Sequence, residues 1–83
     1  VPHRNDVREA LNKVAPSVSA CLGPSDVARV NLTFAGASGR VIRTKVLGGV
    51  NRKAVGCVAH AARKAEVPPF KKSKFVVRHT FEG

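Results

Sequence analysis

Tryptophan, tyrosine and methionine are all missing from this chain, and phenylalanine occurs only four times. So few rings leave little material for the aromatic platforms on which single-stranded nucleic acids stack. Acidic side chains are scarce too: five Asp and Glu stand against fifteen Lys and Arg, a formal net charge of +10. Five acids, three dispersed histidines and two cysteines are thin stock for a catalytic centre, so neither an enzyme nor a small-molecule substrate is expected. Without a Cys-x-x-Cys pair or a histidine at ligand spacing from both cysteines, no metal site or other cofactor is expected. The Gly-Lys-Ser/Thr ending of a phosphate loop is absent as well. No apolar run approaches the ~18 residues that cross a bilayer, and Val1-Pro2-His3-Arg4 does not open a secretory signal. Because no Met stands at position 1 or elsewhere, the sequence is expected to be one domain, residues 1–83, of a longer protein. What is present, 43% hydrophobic residues in 83, suffices for one core and leaves no room for a second.

The first segment has the period of a helix. Val7, Leu11, Val14, Val18 and Cys21/Leu22 fall on one stripe. Asp6 followed by Glu9 fits a capping box, with Asn5 as the alternative cap, and His3 lies in a mobile terminus. Pro16 removes a backbone hydrogen bond inside this stripe, so a kink or break is expected near Ala15, and Gly23-Pro24-Ser25 stops the helix. The period then changes to two. Ala28, Val30, Leu32 and Phe34 alternate with Arg29, Asn31 and Thr33 as a half-buried strand. Gly36-Ala37-Ser38-Gly39 supplies positive-φ residues for a hairpin. The chain returns from Arg40 to Leu47 with Ile42, Thr44 and Val46 toward the core and Val41, Arg43 and Lys45 on the other face. Gly48-Gly49 ends that strand.

Asn51 is the N-cap of a second helix, with Val50 and Val55 as a hydrophobic staple. Its buried side carries mostly small residues among Ala54, Val55, Cys57, Val58, Ala61 and Ala62, while Arg52, Lys53, Arg63 and Lys64 face water. Pro68-Pro69 ends it. A last strand, Lys74 to Phe81, places Phe75, Val77 and Phe81 on one face and Val76, Arg78 and Thr80 on the other. The order helix–strand–strand–helix–strand predicts an α+β two-layer sandwich: a three-stranded antiparallel sheet with both helices on one face. Charged strands suit sheet borders, so the first strand is placed in the centre and the third at an edge.

This order and its punctuation resemble the TonB C-terminal domain. More narrowly they are similar to the AgmX/PglI-type C-terminal domains of myxobacterial and related envelope proteins. The residues that carry the likeness are Val14-Ala15-Pro16 through Cys21, Val30-Asn31-Leu32-Thr33-Phe34, Ser38-Gly39-Arg40-Val41, Ala54-Val55-Gly56-Cys57-Val58 and Ala62-Arg63. Pro68-Pro69-Phe70 and Phe75-Val76-Val77-Arg78-His79-Thr80-Phe81 complete it. The chain departs from TonB in its high positive charge and in Lys64-Ala65-Glu66-Val67, where those proteins place aromatic-containing sequence. The resemblance implies a periplasmic domain whose parent chain is anchored in the inner membrane. It further implies a role in energy transduction or gliding motility, and binding of a segment of an outer-membrane or periplasmic protein beside the last strand.

Spacing alone leaves two readings of Cys21 and Cys57 open, a disulfide between the helices or two buried thiols; envelope placement, as the resemblance implies, favours the disulfide. Arg29, Arg43, Lys45 and Arg78 would gather on the sheet's second face, with Lys71, Lys72 and Lys74 nearby. Such a patch suits an acidic peptide, an anionic cell-wall or lipid surface, or nucleic-acid phosphates, or else simply keeps the domain soluble. Nucleic acid is disfavoured because three of the four Phe are expected in the core. His79 shares the alternation of Phe75, Val77 and Phe81 and is expected to be partly covered, while His60 lies toward the polar side of its helix. The strand Lys74, Phe75, Val76, Val77, Arg78, His79, Thr80 is the candidate partner-binding edge: one row of its amides and carbonyls would be free to accept another strand.

Overall fold

The computed structural model describes residues 2–48 and 50–83. Its elements are α1 (Arg4–Ala20), β1 (Val27–Ala35), β2 (Val41–Gly48), α2 (Arg52–Ala62) and β3 (Lys74–Glu82). The sheet order is β2-β1-β3, antiparallel throughout, so the least charged strand is central and β3 is an edge. This is the α+β architecture expected from the alternating periods.

The helices build one layer. α1 packs against α2 and β3, and α2 packs against β2. The α1 stripe buries Ala10, Leu11, Val14 and Val18, with Val7 packed against them. Beneath it Ala28, Val30, Leu32 and Phe34 of β1 have no exposed surface at all. Each larger side chain among them contributes roughly 1.5–3 kcal/mol by leaving water. Phe81 and Val58 close the two sides, and Ala61, Ala62 and Ala65 let α2 approach closely.

Several local expectations are corrected. α1 begins before Asp6: His3 is the N-cap, its Nδ1 accepting from the Asn5 amide at 3.2 Å, and Asp6 lies in the first turn. The helix continues through Pro16 without a break. Pro16 and Asn12 are both exposed, so the Asn12 carbonyl that loses its donor is left on the water side of the helix.

On β2 the expected core set changes at one end only: Val46 packs against the core and Thr44 pairs with buried Leu32, but Ile42 is replaced by Val41. Val41 is buried and Ile42 is 51% exposed. The pairing steps from Thr33↔Arg43 to Phe34↔Val41, so β2 carries one extra residue there. In such a bulge two consecutive side chains face the partner residue from one side, and Ile42 turns outward with Arg43. A second irregularity lies opposite Arg29, where Leu47 is the extra residue and faces outward as the alternation from Val46 already requires. The alternation held from Arg43 to Val46, and the bulge changed the face only of Ile42 and Val41 before it.

Gly39 alone in the hairpin loop has positive φ, at 71°. Gly36 is needed for proximity, because a Cβ there would meet the Lys72 carbonyl oxygen. Gly49 lies outside the described residues, so the expected turn is described at Gly48 only, where φ is 133°.

α2 is capped as expected, the Asn51 side chain accepting from the Ala54 amide at 3.0 Å. Val50 packs against the core, but Val55 is 39% exposed, so the staple does not add to it. The helix ends at Ala62, well before Pro68. Lys64 and Ala65 donate to Ala61 and Ala62, tightening the last turn. A strap of residues 66–73 then crosses the hairpin. Val67 donates to Gly39, Phe70 to Gly36, and Gly36 to Ser73, at 2.9 Å each. The helix thus stops short of the prolines, and the chain beyond it is held on the hairpin by these bonds.

Gly56 sits mid-helix, and a methyl group added there would meet nothing within 4 Å. Gly56→Ala is expected to stabilise the protein by about 0.5–1 kcal/mol through helix propensity, measurable as a raised urea midpoint. An unchanged or lower midpoint would mean that Gly56 serves a purpose beyond the helix.

Candidate functional site

Two surfaces concentrate the residues singled out above. The first is the free edge of β3. Its hydrogen-bonding parity follows from two bonds that bracket the strand: Gly36 donates to Ser73, and Gly83 donates to Asp26, both at 2.9 Å. Pairing between them is continuous, from Ala35↔Lys74 to Val27↔Glu82. Because antiparallel ladders alternate, Phe75, Val77, His79 and Phe81 direct their backbone groups to β1. Lys74, Val76, Arg78 and Thr80 therefore present theirs to the open side. At the far end the Ser19 hydroxyl donates to the Glu82 carbonyl at 3.0 Å, which terminates the free row.

Two hollows run beside this edge, between β3 and the first turns of α1. One, of about 350 Å³, is lined by Pro2, Arg4, Val7, Phe75, Val76 and Val77. The other, of about 280 Å³, lies among Arg4, Val7, Arg8, Leu11, Asn12 and His79. Their floors are apolar and their rims basic. A strand laid against β3 would direct every second side chain into them. His79 stacks edge-on against Phe81 with ring centroids 4.6 Å apart. Partial burial there lowers its pKa from the ordinary 6.5, since desolvation penalises the imidazolium.

The second surface is the sheet face away from the helices. The register brings Arg29 beside Thr80, Lys45 and Arg78 to either side of Asn31, and Arg43 and Val76 to either side of Thr33. Arg78 Nε donates to Asn31 Oδ1 at 3.4 Å. The structure thus assembles Arg29, Arg43, Lys45 and Arg78 on one face, and adds Lys74 to them. Lys71 and Lys72 stand apart from it, exposed on the strap at the hairpin end. The one ion pair among the described residues, Arg40 with Glu66 at 3.9 Å, lies elsewhere.

Cys21 and Cys57 form a disulfide with Cα atoms 5.7 Å apart. It joins the C-cap of α1 to the second turn of α2, behind the sheet and away from both surfaces.

The sequence pointed to β3 and to the cations, but not to the α1 residues Arg4, Val7, Arg8 and Leu11 as walls of the edge hollows. Their stripe was visible, yet nothing local says which strand a helix will overlie. No family model matches this chain, and neither does any curated protein or solved structure.

Proposed function

We propose that this domain is a non-enzymatic protein–protein interaction module that accepts a partner strand at the outer edge of β3, in the manner of TonB-type C-terminal domains. The observation that carries the reading is the row of unpaired backbone groups at Lys74, Val76, Arg78 and Thr80, set beside two apolar hollows. Main-chain bonds supply affinity, and alternate side chains supply selectivity. Inward positions of the partner strand meet Val7, Leu11, Phe75 and Val77, which selects apolar residues. Outward positions lie beside Lys74 and Arg78, which selects acids.

The interhelix disulfide supports placement in an oxidising compartment such as the periplasm. In that setting the module would tether an inner-membrane machine to an outer-membrane or periplasmic protein segment, or carry force between them, as in energy transduction or gliding.

An extended peptide alternating valine with glutamate tests the mechanism. On titration, amide signals of Lys74, Val76, Arg78 and Thr80 are expected to shift and to gain protection from hydrogen exchange. Val76→Pro removes one outward N–H without removing an internal bond, a substitution that an edge strand tolerates. It is expected to weaken the peptide at least about tenfold, the loss of one charge-free hydrogen bond and of strand geometry. A response confined to α1, or binding indifferent to Val76→Pro, would sink strand addition.

A further inference from the structure

The open face of the sheet combines two properties that the fold does not require and that strand addition at β3 uses only in part, through Lys74 and Arg78. Five cations, Arg29, Arg43, Lys45, Lys74 and Arg78, share it, and the single carboxylate among its residues is Glu82 at one end. Four of the five exposed large aliphatic side chains of the described residues are there too: Val27, Ile42, Leu47 and Val76, between 38% and 58% exposed. A shallow hollow of about 370 Å³ lies toward its hairpin end, lined by Arg43, Lys74, Ile42, Val76 and Thr33. Cations suit a phosphodiester, and aliphatic walls next to them suit the first carbons of an acyl chain.

We propose that this face docks on the surface of an anionic phospholipid bilayer. A second copy of the chain is a poor occupant, because two such faces would oppose five cations with five. Nucleic acid would match the charge but not the aliphatic residues, and the face offers no ring for a base to stack on. A bilayer uses both halves: basic residues gain from the negative surface potential, and aliphatic side chains enter the headgroup boundary. The bulge of β2 opposite Thr33 matters here, since it turns Ile42 outward. Because β3's free edge lies at right angles to this face, docking leaves it open to a partner strand.

Co-sedimentation with vesicles tests the proposal, using equal phosphatidylcholine and phosphatidylglycerol against phosphatidylcholine alone. Binding is expected to the anionic vesicles only and to fade with added salt. Arg43→Gln with Lys45→Gln should weaken it roughly 25-fold, about fivefold for each basic residue at the surface. Arg52→Gln with Lys53→Gln removes the same charge from α2, on the other side of the domain, and should change binding little. Ile42→Ser with Val76→Ser should weaken it about tenfold without altering charge. All these side chains are exposed, and circular dichroism melts establish that each variant is folded.

Failure to bind anionic vesicles at low salt would overturn the proposal. So would equal losses from the two charge pairs, or indifference to the serine pair. Tight binding of duplex DNA with no vesicle binding would assign the face to nucleic acid instead. Because this test reads lipid binding by the open face and not main-chain pairing at β3, a peptide that failed to bind there would leave its result unaffected.

Discussion

Reduction of the Cys21–Cys57 bond is expected to lower the melting temperature by roughly 20 °C. The bond closes a loop of 36 positions, and chain-entropy arithmetic for that length gives about 4 kcal/mol. A domain of this size changes its melting temperature by about 4–8 °C for each kcal/mol. The effect is large because net stability is small, about 4–12 kcal/mol at the usual 0.05–0.15 kcal/mol per residue. The core also has little reserve, being built mainly of valine and alanine with Phe34 and Phe81 as its only buried rings. Cys57 is exposed, so reductant reaches the bond in the folded state. Melts with and without dithiothreitol measure the difference, and the double variant Cys21→Ala/Cys57→Ala should melt low in both. An oxidised protein indifferent to reductant would show that the two helices are held by packing alone.

The second large effect is expected at Gly39. An alanine there must hold φ at 71°, which costs a side-chain-bearing residue about 1–2 kcal/mol. Its Cβ would also strike the backbone carbonyl of Val67, which cannot swing aside as a side chain can. Gly39 accepts from the Val67 amide at 2.9 Å, so relieving the collision breaks the bond that seats the strap. Gly39→Ala is therefore expected to cost about 3 kcal/mol or more. Gly48→Ala separates the causes: its φ is 133°, yet nothing lies within 4 Å of the added carbon. Urea unfolding should show a distinctly larger loss at Gly39 than at Gly48. Equal losses would mean that the strap yields easily.

The fold was largely legible because the periods are clean. Val7, Leu11, Val14 and Val18 repeat as a helix, and Ala28, Val30, Leu32 and Phe34 repeat as a strand, so both burial patterns follow directly. Charge placed β1 in the centre and β3 at the border, and the register agrees. The misses lie where a tertiary contact overrides a local pattern. Ile42 looks like a core residue until a bulge turns it out, and α2 stops at Ala62, short of Pro68, before the strap that binds Gly36 and Gly39. His3 caps a helix from a position that sequence alone marks as a loose end. For the candidate site, the free strand and its basic neighbours could be named beforehand, but the hollows depend on α1 crossing over β3.

The arrangement β2-β1-β3 also orders events in time. During synthesis both helices and the first hairpin emerge before residue 74, so the two cysteines can meet while one side of β1 still lacks its neighbour. Val30, Leu32 and Phe34 then wait beside an empty lane that Phe75, Val77 and Phe81 eventually fill. A nascent chain paused in that interval exposes the middle of its future sheet, and non-local pairing of this kind forms slowly. Chaperone capture would fall in that window, and the last nine-residue strand would release the chain from it.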